Sequence, residues 1–190
     1  MCCAFGAAMW ATGCATSETS DDGAPDQGAT AGVAGPRSHG GTEIHTQDDC
    51  DPQDPLWVGK CNPNFHGLTF FNDFRAELAA TMTARAWEYG GGDASVTSGQ
   101  SLQVDNRGGE VHTFSIVAEY GGGRNPNNNA ISGNPVAAPE CLAPASPTNV
   151  DIASGAGISV TTGANGTLKP GTYKVQCCIH PWMRTTVTVR

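Results

Sequence analysis

The chain is poor in charged residues, and those it has are mainly acidic. Charged side chains make up only 15% of its 190 residues, and 18 Asp and Glu outnumber 10 Lys and Arg, for a net charge of −8. A chain of this sign is not expected to bind nucleic acid, because phosphates attract basic surfaces. It also lacks an apolar run of the ~20 residues that a membrane-spanning helix needs.

The signatures of common enzyme classes are absent as well. Glu88, Glu110 and Glu119 form no paired-carboxylate pattern with a nucleophile, and no Gly-x-Ser-x-Gly motif occurs. The glycines at 121–123 lack the lysine and the strand-to-helix context of a phosphate-binding loop. We therefore expect that the protein is not an enzyme.

The first 14 residues resemble an export segment that lacks its usual basic residues. Positions 1–10 are mostly apolar, and the Ala-Thr-Gly-Cys that ends at Cys14 is similar to the lipidation site of bacterial lipoproteins. Yet no Lys or Arg precedes Arg37, and Ala11 stands where a larger aliphatic residue is usual. Three interpretations stay open: a lipid anchor on Cys14, a cleaved secretory signal, and neither.

Beyond the export segment, composition divides the chain into a linker and a domain. Residues 15–55 are rich in Gly, Ala, Thr and Asp and have almost no large apolar side chains. They predict a flexible acidic linker in which His39 and His45 are solvated. Residues 56–190 bring aromatic side chains and predict one folded domain with an N-terminal extension, its core at about 80–190.

The domain has the pattern of short strands separated by turns. The chain contains 25 Gly and 12 Pro, and several short runs alternate between apolar and polar residues, which predicts an all-β sandwich or barrel. Weak helical character is confined to 75–80, and a long Gly/Asn/Pro loop without strand pattern covers 120–147. The runs that predict strands are 81–89, 96–104 (two strands), 111–118, 158–162, 173–177 and 185–189. In the first of these, one face carries Met82, Ala84 and Ala86, with Glu88 as a further candidate.

The strand at 173–177 ends in two adjacent cysteines. Its alternation places Tyr173, Val175 and Cys177 on one face. Because the apolar side chains mark the buried face, Cys177 is expected to point inward and Cys178 to point away from it.

Soft metal ligands follow at regular spacing. Cys177, His180 and Met183 lie three residues apart, so a tight loop stiffened by Pro181 can turn all three towards one ion. His112, on a predicted strand far away in sequence, can supply a fourth side chain if the two strands are neighbours. One thiolate, two imidazoles and a weak axial thioether are typical of copper sites that transfer electrons.

Two other interpretations of these residues stay open. The first is a zinc site, although two adjacent cysteines fit poorly with the alternation of a strand. Its ligands would be His112, Cys177, Cys178 and His180. The second is that these positions are ordinary core and loop residues that bind no metal.

Two patches resemble the cupredoxins, a family of small blue copper proteins. EVHTFSIV at 110–117 is similar to the strand of their first histidine ligand. YKVQCCIHPWMRTTVTV at 173–189 is similar to their last ligand loop, with the Cys-x-x-His-x-x-Met spacing of the amicyanin- and plastocyanin-like members. The resemblance implies a cupredoxin-like Greek-key β-sandwich and one mononuclear copper that cycles between Cu(I) and Cu(II). The ligands that it implies are His112, Cys177, His180 and Met183.

The resemblance also has consequences for reactivity. Multicopper oxidases carry histidines on both sides of the ligand cysteine, and here those positions are Gln176 and Cys178, so no oxidase chemistry is expected. The family usually exposes the edge of its second loop histidine to partners. For this chain the resemblance implies that His180 is exposed within an apolar patch formed by Ile179, Pro181 and Trp182.

The eight cysteines favour an oxidising compartment. Those at positions 2 and 3 would leave with an export signal, Cys14 would carry lipid, and Cys177 would bind copper. The four that remain are Cys50, Cys61, Cys141 and Cys178. Of their three possible pairings we favour Cys50–Cys61 and Cys141–Cys178, since the second would tether the long loop beside the metal. The alternative is that Cys178 is a buried free thiol.

These observations together predict a carrier of single electrons in the cell envelope, located in the periplasm or at the cell surface. We expect transient redox protein partners, a monomer, no nucleic acid, and membrane contact only through a lipid on Cys14. The rival function is copper capture, storage or delivery, which would favour a surface rich in Met and His. The chain has only four Met and five His. A scaffold that has lost its metal would be expected to have a disrupted ligand set.

Overall fold

The computed structural model describes residues 43–61 and 69–190. The predicted export segment lies outside the described residues, as do Cys14 and His39. The boundary between export segment and linker therefore stays a prediction.

Nine strands and three helices occur in the part of the chain that the structure describes. The strands are β1 (Glu43–Asp48), β2 (Trp87–Gly90), β3 (Ala94–Val96), β4 (Ser101–Asn106), β5 (His112–Val117), β6 (Asn149–Ile152), β7 (Gly157–Thr161), β8 (Gly171–Gln176) and β9 (Arg184–Val189). The helices are α1 (Phe71–Thr81), α2 (Pro126–Ile131) and α3 (Pro139–Leu142), and a 3-10 turn covers Pro55–Trp57. None of these helices is long and apolar enough to cross a membrane.

The strands form two sheets that enclose one core. The first sheet has the order β2-β1-β4-β7, and the second has the order β3-β9-β8-β5-β6. Side chains from both sheets meet in a single buried cluster, for example Val104 of β4 with Phe114 of β5 and Val187 of β9. The prediction of a predominantly β sandwich is confirmed, since the helices are short and lie outside the sheets.

The linker prediction is wrong at its C-terminal end. β1 lies inside the first sheet, antiparallel to β2 and parallel to β4. Its side chains alternate as in any half-buried strand, with Ile44, Thr46 and Asp48 buried. Composition was misleading because only one of these three inward residues is apolar. His45 is consequently a half-buried strand residue, not a solvated linker residue.

The predicted alternation over 81–89 is also corrected. Helix α1, of which the sequence suggested only a short part, continues to Thr81, and Met82 ends it in the left-handed conformation with an exposed side chain. Ala84 and Ala86 are buried as the pattern predicts, but the strand begins only at Trp87, and its buried residues are Trp87, Tyr89 and Gly90. Glu88 therefore lies on the outer face, because the turn between helix and strand shifts the alternation by one residue.

The remaining strand predictions agree with the structure. The runs at 111–118, 158–162, 173–177 and 185–189 correspond to β5, β7, β8 and β9. The run at 96–104 includes the last residue of β3, a turn and most of β4, so its first strand ends earlier than predicted. β6 was not predicted, since NVDI is short and half polar. It pairs with β5 at the edge of the second sheet.

The long loop at 120–147 contains no named strand but does contain α2 and α3. A proline begins each of these helices, where its missing N–H costs no hydrogen bond. Buried Asn129 holds the start of the segment, because its side chain accepts a bond from the Gly123 nitrogen at 2.6 Å and donates to the Gly123 oxygen at 3.0 Å. The segment is thus internally ordered by polar contacts.

Both predicted disulfides are confirmed. Cys50 is bonded to Cys61, and Cys141 is bonded to Cys178, across 11 and 37 residues of chain. Cys177 is the free cysteine of the described residues. It belongs to the main core cluster, whereas Cys178 belongs to a second cluster with Val117 and Ala138. The two adjacent cysteines therefore face opposite directions, as strand alternation predicts.

Candidate metal site

Three of the four predicted ligands meet at one end of the core. His112 begins β5, and Cys177 and His180 lie in the loop that follows β8, a direct neighbour of β5 in the sheet. Their ligand atoms all lie within 4.8 Å of one another, and all three residues are buried. Strand pairing thus brings residues that are 65 positions apart in sequence, His112 and Cys177, into one cluster.

The three ligand atoms form a nearly regular triangle. The Nδ1 atoms of His112 and His180 are 3.2 Å apart, and they lie 3.8 and 3.9 Å from the Cys177 sulfur. A point in the plane of these atoms is roughly 2.1 Å from each of them, about the length of a bond between imidazole and a first-row metal. The donor set therefore fits a single ion with trigonal coordination.

The loop that carries the ligands is closed by its own main chain. The Cys177 nitrogen donates to the Met183 oxygen at 3.1 Å, and the Met183 nitrogen donates to the His180 oxygen at 2.9 Å. Met183, the fourth predicted ligand, is fully buried at the end of this loop. The sulfur of Cys177 accepts hydrogen bonds from the nitrogens of Thr113 and His180, each at 3.4 Å. Main-chain donors of this kind stabilise a thiolate.

Both imidazoles are oriented by carboxylates. The Nε2 atom of His112 bonds to the buried carboxylate of Asp48, and the Nε2 atom of His180 bonds to Glu110 at 3.0 Å. Each ring therefore directs Nδ1 towards Cys177 and uses its other nitrogen as a donor to a carboxylate. Such outer partners fix the tautomer and the orientation of a metal-binding histidine.

The charges of the site favour a thiolate. Burial would raise the pKa of Cys177, but hydrogen bonds from His112 and His180 lower it well below the usual value of a thiol. Burial would also lower the pKa of His112, but bonds to Asp48 and Cys177 raise it to about 9. The pKa of His180 is raised against burial by Cys177 and Glu110. The thiolate is the form of cysteine that binds metals, and an incoming ion would displace the imidazole protons.

The implied exposure of His180 is wrong. Only 4% of this residue is exposed, and its ring lies 5.1 Å from Trp87 and 5.4 Å from Trp182 between ring centres. Trp57 and Phe74 pack behind these two rings, at 4.9 Å from Trp87 and 5.2 Å from Trp182. Both come from the N-terminal extension, which lies outside the two patches that resemble cupredoxins. We call these four residues, Trp57, Phe74, Trp87 and Trp182, the aromatic cover.

The opposite side of the loop is held by polar contacts and a covalent bond. The Cys178 oxygen accepts from the Arg124 nitrogen at 2.6 Å, and the Cys178 nitrogen donates to the Thr113 hydroxyl at 2.7 Å. Asn128 of α2 donates to the Ile179 oxygen at 2.8 Å. With Cys178 in a disulfide, the zinc site that needs it as a ligand is wrong.

Sequence reasoning missed the residues around the ligands. Asp48 was assigned to the linker, and Glu110 was considered only as a catalytic carboxylate. A signal existed for each of them. The alternation of EIHTQD over β1 marks Asp48 as an inward residue, and Glu110 stands two positions before His112 in the matched motif. No local pattern connects Trp57 with Trp87, the ring that packs on His180, because that contact depends on the path of the extension.

Comparison with known proteins gives matches in structure alone. No family model matches the sequence, and no curated protein matches it. Among solved structures, the fold is similar to a novel purple cupredoxin from Nitrosopumilus maritimus, with a TM-score of 0.37 and 17% identity over 56% of this chain and 86% of that one. It is also similar to an oxidised proline-to-alanine variant of amicyanin, with a TM-score of 0.35 and 22% identity over 61% of this chain and 89% of that one. A third similar structure is a Cu(I) methionine-to-alanine variant of amicyanin, with a TM-score of 0.34 and 19% identity over 56% and 76%.

Proposed function

We propose that the protein binds one copper ion in a type 1 site and transfers single electrons. The ion would be held by His112, Cys177 and His180, with Met183 as a weaker fourth ligand. The observation that carries the proposal is the buried triangle of two Nδ1 atoms and one thiolate sulfur. This combination of imidazoles and thiolate, with a thioether nearby in the chain, is the donor set of blue copper sites.

The residues of this site have distinct tasks. A bound copper would supply one-electron redox chemistry. Cys177 provides a charged soft ligand, and the main-chain bonds that close the loop hold it in place. The two imidazoles are fixed from behind by carboxylates, so they need not move when the charge of the ion changes. A preorganised, water-excluded site of this kind keeps the reorganisation that accompanies electron transfer small.

The cellular setting belongs to the same proposal. Two disulfides favour an exported protein, because thiols in the cytosol are kept reduced. We therefore assign the chain to the periplasm or cell surface, with transient redox protein partners and an optional lipid on Cys14. The protein has no catalytic activity of its own in this proposal.

The decisive test is the colour of the copper-loaded protein. Cu(II) should produce an intense visible band from charge transfer between the Cys177 sulfur and copper. Cys177→Ser should abolish the band, since a hydroxyl is a poor donor to copper. A double Cys50→Ser, Cys61→Ser variant is the matched control, because it removes two cysteines that do not touch the site and should keep the band. A visible band that survives in Cys177→Ser would refute the proposal.

The axial ligand can be tested separately. Met183→Leu should still bind copper and keep its colour, but its reduction potential should change, since the axial ligand tunes it. Voltammetry of the loaded variant measures this. Complete loss of copper would mean that Met183 is not a weak axial ligand.

Copper delivery is the alternative function that uses the same ligands. The buried site argues against it, because His180 is covered and copper would have to leave through the aromatic cover. A carrier should lose Cu(I) to a competing chelator slowly and exchange electrons rapidly. Rapid copper loss with slow electron exchange would favour delivery.

A further inference from the structure

Two carboxylates lie directly behind the histidines of the site. Asp48 is fully buried and bonds to His112, and Glu110, whose side chain is 24% exposed, bonds to His180. Asp48 comes from β1 in the N-terminal part of the described chain, whereas Glu110 lies just before β5. The two imidazoles are thus each held by an ionisable side chain.

The carboxylates are linked to each other and to the extension. The second oxygen of Asp48 accepts from the Glu110 nitrogen at 2.8 Å. The chain at Gly108 passes close above Asp48, since a Cβ there would lie 2.5 Å from both carboxylate oxygens. The second oxygen of Glu110 binds Lys60 at 2.9 Å, next to the Cys50–Cys61 disulfide. Close packing and these bonds hold both carboxylates in one arrangement.

We propose that Asp48 and Glu110 form a carboxylate pair that positions both imidazoles and favours Cu(II) over Cu(I), so that the pair lowers the reduction potential of the site. This inference rests on the proposed function, and it adds residues that touch no metal. They are positioning residues, since they act through His112 and His180.

The direction follows from charge. With copper bound, the thiolate of Cys177 and two carboxylates surround one ion, and reduction adds one more negative charge to this group. Coulomb repulsion inside a protein is far less screened than in water, so reduction is disfavoured. The carboxylates also accept hydrogen bonds from the ring N–H groups, which makes the Nδ1 atoms stronger electron donors to copper. This effect again favours Cu(II) over Cu(I).

Asp48 and Glu110 should differ in how far each lowers the reduction potential. Asp48 has no exposed surface, and its two carboxylate oxygens are bonded to His112 and to the Glu110 nitrogen. Glu110 is partly exposed and is neutralised in part by Lys60, and water screens it further. We therefore expect Asp48 to have the larger effect. Removing the positive charge of Lys60 should lower the reduction potential, because it leaves the negative charge of Glu110 uncompensated.

The test compares neutral variants of equal shape in the full copper-loaded chain. Asp48→Asn should raise the ratio of Cu(I) to Cu(II) affinity about tenfold, which is about 59 mV for a one-electron couple. Glu110→Gln should raise the ratio of Cu(I) to Cu(II) affinity a few-fold, and Lys60→Gln should lower this ratio. Glu119→Gln is the matched control, since Glu119 pairs with Lys174 and contacts no site residue. Voltammetry measures the potentials, and a competition titration should give a 10- to 100-fold loss of Cu(II) affinity in Asp48→Asn.

The outcomes separate this inference from the proposed function. An unmodified protein that never shows the blue band would overturn both. A blue protein whose potential is the same in Glu110→Gln, Lys60→Gln and the Glu119→Gln control would overturn the carboxylate pair alone. If Asp48→Asn does not fold, the opposite shifts expected for Glu110→Gln and Lys60→Gln still decide the question.

Discussion

The two sides of the ligand loop are stabilised by different kinds of interaction. On the side of Cys178, a disulfide and hydrogen bonds from the Arg124 nitrogen and the Asn128 side chain attach the loop to an Asn- and Gly-rich segment. On the side of His180, aromatic rings and carboxylates cover the loop and exclude water. Neighbouring residues of a strand point in opposite directions. Cys177 therefore points to the other proposed ligands, and Cys178 points to the side that carries the disulfide.

The difference indicates what each side contributes. The Cys178 side restricts the loop mechanically and leaves the charge of the site unchanged. The His180 side determines how polar the surroundings of the ligands are, and part of this arrangement lowers the free energy of unfolding. In the described part of the chain the indole nitrogens of Trp57, Trp87 and Trp182 are buried without a hydrogen-bond partner. Each such group costs about 1–3 kcal/mol, so the apolar packing of the cover must outweigh that loss.

The largest effect is expected on the aromatic side. Phe74 is 2% exposed and packs against Trp57, Phe71, Trp87 and Trp182. Phe74→Ala should lower the free energy of unfolding by about 5 kcal/mol, the upper end for loss of a buried aromatic ring. Urea denaturation measures the loss, and exposure of His180 should rise with it.

A matched control for this variant lies on the same helix. Phe71→Ala removes a ring of the same size that is only partly buried, so its cost should be clearly smaller. Equal losses in the two variants would mean that the cover contributes no more than a surface ring does.

The covalent side should rank second. Removing the Cys141–Cys178 bridge in a double serine variant should cost roughly 4 kcal/mol, because it frees a 37-residue loop in the unfolded chain. Removing Cys50–Cys61, which closes only 11 residues, should cost roughly 3 kcal/mol. Thermal and urea unfolding of both double variants give the comparison.

The visible spectrum of the copper-loaded variants is a second test of the Cys141–Cys178 bridge. The variant without Cys141 and Cys178 should keep the blue band, since neither cysteine is a proposed ligand. Single Cys141→Ser leaves a free thiol beside the site, and its colour should bleach faster in air. A Cys141→Ser, Cys178→Ser variant as stable as the parent would contradict the role of the bridge.

The two sides also differ in how well sequence predicts them. Much of the Cys178 side follows from local rules. Strand alternation predicted the directions of Cys177 and Cys178, and cysteine counting left three pairings, of which we favoured the one that contains Cys141–Cys178. The polar contacts within the Asn-rich segment, such as those between Asn129 and Gly123, are local in sequence as well. The bonds from Arg124 and Asn128 to the loop join distant positions, and residue type and spacing did not predict them.

The His180 side depended on contacts that spacing does not encode. The exposure of His180 was implied by the resemblance to cupredoxins, and the two matched patches do not include the extension that covers this residue. Asp48 was overlooked because an inward aspartate has the composition of a linker. Buried polar residues of this kind become visible only when their partners, here His112, are known.

Ionisable groups of unusual pKa also cluster near the aromatic side. Burial and the charges of Glu77 and Asp49 raise the pKa of Glu88 to about 7. Burial and the charge of Asp48 raise the pKa of Asp49 to about 6. Both folded-state values lie above those of the unfolded chain, so the native state binds more protons there. Stability from these groups is therefore present at low pH and is lost as pH rises, from about 3.8 to about 6 for Asp49 and from about 4.5 to about 7 for Glu88.

Glu88→Gln should remove part of this pH dependence of stability. The change should be the smallest of the expected effects, since Glu88 is only half-buried and water screens its charge. The neutral amide cannot ionise, so the variant should match the parent near pH 4 and be more stable than the parent near pH 8. Urea unfolding at the two pH values measures the difference, with exposed Glu119→Gln as the control that should change neither. The same gain in stability at both pH values would mean that Glu88 acts through packing and not through its charge. A gain confined to high pH would show that the charge of Glu88, on the outer face of β2, makes the fold less stable as pH rises.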